Sequence, residues 1–504
     1  MARSSRIAAG PASSCATSRP ERFALPPPAL APAHRRALGR ALPPLGVGFA
    51  LALTPTPDGL TVEAWRYFAL FAAVIIAIVT EPVPAAVVGL AGVVAAAMLG
   101  LVQPTPALSI NWALGGFSSP LSWLVLSTLV LASGYEKTAL GRRIALALIR
   151  RLGRSTLGLG YAIALTDLAL APFTPSNTAR SAGTIYPVIR NIPGLFGSSP
   201  ESQPRRLGAY IMYTALAATC VTSSMFPTAI AANLLAVAIV AETMHIEVTW
   251  REWVIGFAPV GAVLFLLVPL VLYWIYPPGL KRSPDAPAWA AQELRAMGRM
   301  SLVERTMLAG ILLVVGLWIF GSRFTDPTAA AILGVIVLVA RGIVSWEDVV
   351  GNRQVWNVFI WFSTLITLAG GLADVGFVRW LADLIEAPMT RAASPYALAT
   401  LVAAFFFLHY FFATVSGHAA ALLPVFLIVA TGPLGLPPRP AALSLAYTLG
   451  LMGILTPYAT GPAPVYYTCG FIRKRDFWWF GLVMGSIFLA CYLLIGLPWL
   501  ILRS

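Results

Sequence analysis

Apolar runs long enough to cross a lipid bilayer recur along this chain from Trp65 to its C-terminus. A helical span of about 20 residues covers roughly 30 Å of hydrocarbon, and only helices or closed barrels satisfy their backbone hydrogen bonds there. Of the 504 residues, 58% are hydrophobic and only 11% are charged, which is outside the range typical of soluble domains. The sequence therefore predicts an all-α polytopic membrane protein.

The apolar segments differ in length, and two of them are too long for a single span. Their approximate bounds are 41–53, 62–80, 83–102, 118–135, 158–195, 207–240, 254–276, 303–321, 327–345, 356–374, 396–432, 441–470 and 477–502. Segments 158–195 and 396–432 each contain a helix-breaking centre. This pattern predicts two re-entrant hairpins, each of which enters and leaves the membrane on the same side.

Basic residues cluster in short loops beside the apolar segments, where they set the orientation of the chain. The clusters are Arg35, Arg36 and Arg40; Lys137, Arg142, Arg143, Arg150, Arg151 and Arg154; Lys281, Arg282, Arg295, Arg299 and Arg305; and Arg473, Lys474 and Arg475. With both hairpins re-entrant, loops 54–61 and 103–117 lie outside and hold no Lys or Arg. This predicts about 11 transmembrane helices plus two re-entrant hairpins, with the N-terminus inside. Because these loops explain the net charge of +14, no nucleic-acid partner is expected.

An internal repeat divides the chain. "STLVLASGYEKTAL" from Ser127 pairs with "STLITLAGGLADVGF" from Ser363, and "EPVPAAVVGLAGVV" from Glu81 pairs with "TDPTAAAILGVIVL" from Thr325. Each half holds an odd number of spans, so the second copy is inverted, as in many secondary transporters. The predicted units are a disordered basic extension 1–40, a first transmembrane helix with its outer loop 41–61, a first inverted repeat 62–276, a cytoplasmic linker 277–302 and a second inverted repeat 303–504.

The centre of the first hairpin, "APFTPSNTARSAGTIYP" from Ala171, has the composition of a binding site. Irregular backbone at membrane depth has to line protein or water. Pro172 and Pro175 end one helix, and Ser176, Asn177 and Thr178 open the next. These three residue types cap helix N-termini well, and the N–H groups and dipole of a helix start favour an anion such as a carboxylate.

The second hairpin carries a matching polar tip, "FFATVSGHAAALLPVF" from Phe411. Its candidate binding residues are Thr414, Ser416, Gly417 and His418, with Ser416 roughly opposite Ser176. Two further broken stretches, "TSSMFPTAIAAN" from Thr222 and "TPYATGPAP" from Thr456, add the candidates Ser223, Ser224, Thr456 and Thr460. Four such elements in symmetric pairs suit a ligand with two anionic ends, such as a dicarboxylate.

These motifs resemble the divalent-anion/sodium symporter (DASS) family. The resemblance rests on the stretch from Gly134 to Pro187, on "HYFFATVSGHAAALLP", on "TSSMFPTAIAAN" and on "TPYATGPAP", and covers about residues 40–504. Within the family, the chain is similar to the branch of bacterial citrate/succinate and tartrate/succinate antiporters and the chloroplast 2-oxoglutarate/malate translocator. The resemblance implies a homodimer, a scaffold, a transport domain that moves in an elevator-like manner, and contacts from Ser176, Asn177 and Thr178 to a substrate carboxylate.

The second tip departs from the sodium-coupled members of that family. Those members carry Ser-Asn-Thr at both tips, whereas this chain has Ser416, Gly417 and His418 at the second, and Arg180 follows the first. We expect Arg180 and His418 to supply the positive charge that Na⁺ provides elsewhere, which favours Na⁺-independent exchange over net uptake. The rival interpretations are a structural ion pair between Arg180 and Asp167, and a hydrogen-bonded packing histidine at position 418. His409 is expected in the core.

The sequence therefore predicts a dicarboxylate exchanger for substrates such as 2-oxoglutarate, malate or succinate, with no cofactor and no bound metal. One alternative is a Na⁺-coupled di- or tricarboxylate symporter. A remote alternative is an intramembrane enzyme, but the chain lacks H-E-x-x-H and G-x-S-x-G, the motifs that would support one. The expected location is a bacterial inner membrane. Because the N-terminal residues also resemble a transit peptide, a plastid inner membrane is the alternative.

Overall fold

The computed structural model describes residues 32–321, 323–386, 396–432 and 434–503. Helices of the first half are α1 (Pro32–Leu53), α2 (Val62–Thr80), α3 (Ala85–Met98), α4 (Pro106–Ser118), α5 (Pro120–Lys137), α6 (Leu140–Leu152), α7 (Thr156–Leu170), α8 (Tyr186–Ile189), α9 (Gly208–Met225), α10 (Ala231–Met244), α11 (Trp250–Ile275) and α12 (Asp285–Ala296). A π-helical segment, Thr178–Ile185, precedes α8. Residues 1–31 of the predicted extension lie outside the described residues, and α1 begins at Pro32, ahead of the predicted boundary.

Helices of the second half are α13 (Leu302–Phe320), α14 (Pro327–Ala340), α15 (Trp346–Gly351), α16 (Arg353–Asp374), α17 (Phe377–Glu386), α18 (Ala397–Leu408), α19 (Val415–Thr431), α20 (Pro438–Leu451), α21 (Ala463–Thr468), α22 (Lys474–Cys491) and α23 (Leu497–Arg503). A second π-helical turn, Tyr492–Gly496, joins α22 to α23. Among the described residues the only pairing of β type is an isolated bridge between Ser155 and Arg282. The all-helical class is confirmed.

Several helices have the length and hydropathy of membrane spans. By these criteria 6 described helices qualify: Val62–Thr80, Thr156–Phe173, Trp250–Ile275, Leu302–Phe320, Arg353–Asp374 and Lys474–Arg503. A seventh forms if α4 and α5, which bend by 41° at Ser119, act as one span. Shorter apolar helices, among them α3, α10, α14, α18 and α19, lie within several of the other predicted segments. The chain is a multi-pass membrane protein, and the total of eleven spans stays a prediction.

Helix starts follow from local side-chain chemistry. Thr61 accepts a hydrogen bond from the Ala64 N–H at the start of α2. At α13, Ser301 and Glu304 form a reciprocal capping box, in which each side chain accepts from the other's backbone N–H. At these two helix starts, the caps satisfy N–H groups that have no partner inside the helix.

Two groups of helices are distinguished by their packing. The first group is α1 to α5 with α13 to α16, in which α16 packs against α3, α4 and α5. The second group is α7 to α11 with α18 to α23, in which α9 packs against α7, α11 and α20. Helix α10 bridges them, because it contacts α19 and α20 in its own group and α16 in the first.

The linker region is tied to α6 by ion pairs. Arg143 Nε donates to Glu304 at 2.8 Å and its Nη1 donates to the Gly298 carbonyl at 2.9 Å, while Arg142 pairs with Glu293 at 2.6 Å. At the end of α5, the Lys137 ammonium lies 2.5 Å from Asp348 and holds the pKa of that carboxyl at about 2. The two arginines tie α6 to the linker and to the start of α13, and the Lys137 pair ties the end of α5 to α15, although this exposed pair contributes little to stability.

Small residues allow α16 to sit close to its neighbours in the first group. A Cβ added at Gly116 on α4 would overlap the Ser363 carbonyl oxygen, whereas a Cβ at the adjacent Gly115 would meet nothing within 4 Å. The Gly116 N–H also donates to Thr367 Oγ1 at 2.9 Å. Close backbone approach through glycine is a common way to pack helices in membranes.

We expect Gly116→Ala to destabilise the protein and Gly115→Ala to leave it unchanged. The added methyl group at position 116 forces α4 away from α16, and overpacking of this kind costs about 1–3 kcal/mol. Denaturant titration of both purified variants in detergent measures the free energy of unfolding. Equal values for the two variants would show that this helix contact is not tight.

Candidate functional site

A cavity of about 190 Å³ lies where the two predicted hairpin tips meet. Its lining residues are Pro175, Ser176, Asn177, Thr178, Ile230, Ala231, Ala232, Thr414, Val415, Ser416, Thr460 and Gly461. We call this space the tip cavity. It brings together six of the sequence candidates, namely Ser176, Asn177, Thr178, Thr414, Ser416 and Thr460.

The first tip is held by its own turn and by the broken stretch that begins at Thr456. Ser176 Oγ accepts from the Ala179 N–H at 3.2 Å, and Asn177 Nδ2 donates to Thr460 Oγ1 at 2.7 Å. Thr178 packs against Gly461, where a Cβ would overlap the Thr178 hydroxyl. From Thr178 the chain continues as the π-helical segment, an irregularity frequent at functional sites.

The second tip begins helix α19. Thr414 Oγ1 accepts from the Gly417 N–H at 3.0 Å, and the Thr414 carbonyl accepts from the His418 N–H at 3.1 Å. Thr414 is therefore the N-cap, and Val415 and Ser416 are the first residues of the helix. Gly417 lies in this first turn but does not line the tip cavity.

The start of α10 is the part of the site that sequence reasoning missed. Ile230, Ala231 and Ala232 line the tip cavity, and the Ala231 N–H donates to the Pro175 carbonyl at 3.0 Å. The sequence predicts a break in the stretch from Thr222, with Ser223 and Ser224 as its candidate residues. The residues of this stretch that line the tip cavity follow the break at Pro227 instead, and their apolar side chains do not mark them as binding residues.

The chemistry of the tip cavity is neutral and rich in hydrogen-bond donors. No charged side chain among the described residues lines it. Helix starts at Thr178, Ala231 and Val415 meet there, and helix starts bind anions through free N–H groups and the helix dipole. The hydroxyls of Ser176, Ser416 and Thr460 add further donors. The volume lies below the roughly 300 Å³ of drug-sized pockets, so the cavity suits a small anion.

Arg180 lies behind the first tip and not in the tip cavity. Its Nε donates to both Asp167 carboxylate oxygens, at 3.0 and 3.1 Å. Nη1 donates to the Thr174 and Ala229 carbonyls, both at 2.9 Å, and Nη2 donates to Ser223 Oγ at 3.1 Å and to Thr219 Oγ1 at 3.4 Å.

The guanidinium thus makes a full set of hydrogen bonds inside the protein. Arg180 and Asp167 are both fully buried, and Asp167 also accepts from Thr222 Oγ1 at 2.7 Å. Every N–H of the guanidinium already has an acceptor, so in this arrangement Arg180 has no free donor for the substrate contact that the sequence predicts. The pair is neutral overall, so Arg180 does not act as an uncompensated cation; the rival interpretation, a structural ion pair, describes what is observed.

Three other candidates also lie outside the tip cavity. Ser223 belongs to the Arg180 network. Ser224 is buried, and its hydroxyl has no hydrogen-bond partner among the described residues. Thr456 is buried, and its hydroxyl accepts from the Tyr458 N–H at 3.4 Å. None of the three residues lines the tip cavity.

His418 is fully buried between aromatic rings. Its imidazole contacts Phe405, His409 and Phe412, with ring centroids 4.4, 5.1 and 5.0 Å apart. Neither ring nitrogen has a hydrogen-bond partner among the described residues. The side chain does not line the tip cavity, and the hydrogen-bonded packing histidine that served as the rival interpretation is not seen either.

Comparison with known proteins identifies the family. The sequence profile described as "Sodium:sulfate symporter transmembrane region" matches residues 37–504. The chain belongs to this family. The resemblance drawn from the four motifs is therefore confirmed, and the family is one of transporters, not enzymes.

Individual relatives agree with this assignment. The L-tartrate/succinate antiporters of Escherichia coli (strain K12) and Shigella flexneri are each 41% identical over 474 residues, which is 92% of this chain and 97% of each relative. The crystal structure of the Alcanivorax borkumensis YdaH transporter is similar with a TM-score of 0.52 and 18% identity, over 77% of this chain and 86% of that one. At that identity the likeness concerns the fold.

We expect the loss of one partner of the buried Arg180–Asp167 pair to lower stability far more than the loss of one partner of an exposed ion pair. Arg180→Gln leaves the Asp167 carboxylate buried without its counter-ion, which costs about 3–5 kcal/mol, and the double variant with Asp167→Asn recovers part of the loss. Denaturant titration in detergent checks this. The matched control is Arg473→Gln at the exposed pair with Asp476, which should not change the midpoint. Unchanged stability in Arg180→Gln would contradict the structural role assigned to the pair.

Proposed function

We propose that this chain is a secondary transporter that exchanges dicarboxylates of the tartrate and succinate type across the membrane. The observation that carries the proposal is the tip cavity, in which two helix breaks and the start of α10 present N–H groups and hydroxyls to one small space. The similarity to L-tartrate/succinate antiporters over nearly the whole chain supports the substrate class.

Carboxylate binding in the tip cavity follows from the donors present. One carboxylate is bound at the first tip by the Ser176 hydroxyl, the Asn177 amide and the N–H groups at Thr178. The other is bound at the second tip by the Ser416 hydroxyl and the first turn of α19. The start of α10 lies between them and contributes the Ala232 N–H. Hydrogen bonds to an ionised acceptor are about twice as strong as neutral ones.

Exchange, as opposed to net transport, follows from the same donors. An empty tip cavity that crossed the membrane would carry unpaired N–H groups and hydroxyls away from water, and each unpaired buried group costs about 1–3 kcal/mol. A bound dicarboxylate satisfies them. The substrate therefore lowers the barrier to movement in both directions, without Na⁺. The cost of unpaired donors in the empty cavity, and not a fixed positive charge on Arg180, is therefore the reason proposed for exchange.

The remaining features of the transporter are proposed with it. A shared backbone feature supports the inverted repeats 62–276 and 303–504. A residue with positive φ lies at the corresponding position of each repeat, namely Ala139 (φ 55°) between α5 and α6 and Gly376 (φ 76°) between α16 and α17. We assign hairpins 158–195 and 396–432 to the moving part of an elevator, within a homodimer. The second helix group forms the moving part and the first group the scaffold. The location is a bacterial inner membrane with the N-terminus inside.

Purified protein in liposomes loaded with succinate should take up labelled tartrate rapidly, with the same rate in Na⁺ and K⁺ media. Empty liposomes should take up almost none, because the unloaded carrier does not return. Protein-free liposomes are the control. Strong uptake into empty vesicles that requires Na⁺ would replace exchange by the Na⁺-coupled symport alternative.

Thr460→Val should weaken the apparent affinity for tartrate about tenfold, which corresponds to about 1.4 kcal/mol and is typical of one lost hydrogen bond. The substitution keeps the shape of the side chain but removes the hydroxyl that accepts from Asn177 and faces the tip cavity. Thr468→Val is the matched control, because Thr468 is exposed, does not line the tip cavity, and its hydroxyl donates to the nearby Pro464 and Val465 carbonyls. The concentration dependence of exchange measures both, and equal affinities would remove Thr460 from the site.

A further inference from the structure

Two buried histidines lie directly behind the second tip. His409 ends the first leg of the hairpin and His418 lies in the first turn of its second leg, so the pair flanks Thr414. Both side chains are fully buried, and their ring centroids are 5.1 Å apart with the planes at 75°. The dicarboxylate contacts proposed above do not use either ring.

The hydrogen bonds of His409 determine where its proton lies. Nε2 is 2.8 Å from the Ala459 carbonyl oxygen, and a carbonyl only accepts, so Nε2 carries a hydrogen. In the neutral ring Nδ1 is then an unprotonated acceptor, and it has no partner among the described residues. Both nitrogens of His418 also lack a partner there. The pair thus offers two vacant positions for one additional proton.

The surroundings of the pair can accommodate a cation but do not balance its charge. Phe405 and Phe412 place aromatic rings within 5 Å of the His418 ring, and aromatic rings attract cations at such distances. Several helices pack against α18 and α19, and the charged side chains described on them are Glu63, Arg66, Glu242, Arg353, Asp374, Arg379, Asp383 and Arg439. The tyrosines on these helices and in the adjoining helix breaks are Tyr67, Tyr396, Tyr410, Tyr447 and Tyr458. None of them forms an ion pair or hydrogen bond with either imidazole, so the charge of a proton on the pair has no counter-ion there.

The tip cavity lies beside the pair and is the space in which a bound anion would balance that charge. Val415 and Ser416 line it, and the His418 N–H bonds back to Thr414 at the helix start. Ala459, whose carbonyl is hydrogen-bonded to His409, immediately precedes Thr460, which lines the tip cavity. A dianion between the tips therefore lies within about one helical turn of the pair, where opposite charges favour one another.

We propose that the His409 and His418 pair is a proton-binding site that takes up a proton when a dicarboxylate dianion binds in the tip cavity. The inference rests on the proposed function. In the empty protein both rings are neutral, because burial without polar partners disfavours charge. With the dianion bound, one imidazole becomes imidazolium, and the charge carried with each substrate falls from two negative to one.

The test is calorimetric titration of the purified protein with tartrate, between about pH 5 and 8, in buffers with different enthalpies of ionisation. Tartrate is chosen because its carboxyl groups are stronger acids than those of succinate, so its own protonation contributes little. Wild-type protein should take up a proton, or a fraction of one, for each tartrate bound. His418→Gln should bind tartrate without proton uptake, and His409→Gln should reduce the uptake.

The matched control is His245→Asn, at an exposed histidine after α10 whose φ of 54° asparagine tolerates. It should retain the full proton uptake. If wild type and His245→Asn bind tartrate without proton uptake at any pH, the inference is overturned and the proposed function stays intact. This outcome does not depend on whether His418→Gln folds. Undiminished uptake in His418→Gln would overturn it too. A wild-type protein that neither binds nor exchanges any dicarboxylate would remove the proposed function and this inference together.

Discussion

The arrangement of the tip cavity depends on the buried ion pair between Arg180 and Asp167. Asp167 lies on α7, and the guanidinium donates to the carbonyls of Thr174 and Ala229 and to the hydroxyl of Ser223. One side chain therefore joins the first tip, the end of α9 and the turn before α10. Backbone carbonyls exposed by helix breaks need donors in a membrane protein, and Arg180 provides them for two breaks at once.

This use of arginine explains how a neutral cavity can lie next to a buried charge. A guanidinium with free N–H groups would bind a carboxylate strongly, and such a substrate would leave slowly. Asp167 and the two carbonyls accept the hydrogen bonds of Arg180, so the tip cavity is lined by hydroxyls, an amide, apolar side chains and helix starts. A carrier has to release its substrate on the far side of the membrane, and several moderate hydrogen bonds serve that better than one strong ion pair.

For physical reasons, the sequence predicted the all-helical class, the helix breaks and six of the residues that line the tip cavity. Proline with Ser, Asn and Thr marks a helix break and a cap wherever it occurs, so Ser176, Asn177, Thr178, Thr414, Ser416 and Thr460 were found from their own neighbourhoods. The partners of Arg180 and the surroundings of His418 depend on residues far apart in the chain. The start of α10 was missed because almost every residue type has a backbone N–H, so an alanine in the sequence does not indicate a binding position.

The two tips are attached to the rest of the protein by different means. The first is fixed by the charged network of Arg180 and by the bond from Asn177 to Thr460. Behind the second, the side-chain bonds described are those of His409 to the Ala459 carbonyl and of Tyr458 to the Tyr410 carbonyl, and His418 is held by ring packing. Aromatic packing is less directional than an ion pair with hydrogen bonds, so the second tip adjusts at lower cost to a substrate. Under the proposed function, the first tip would be a rigid carboxylate site and the second an adaptable one, which fits exchange between dicarboxylates of unequal shape.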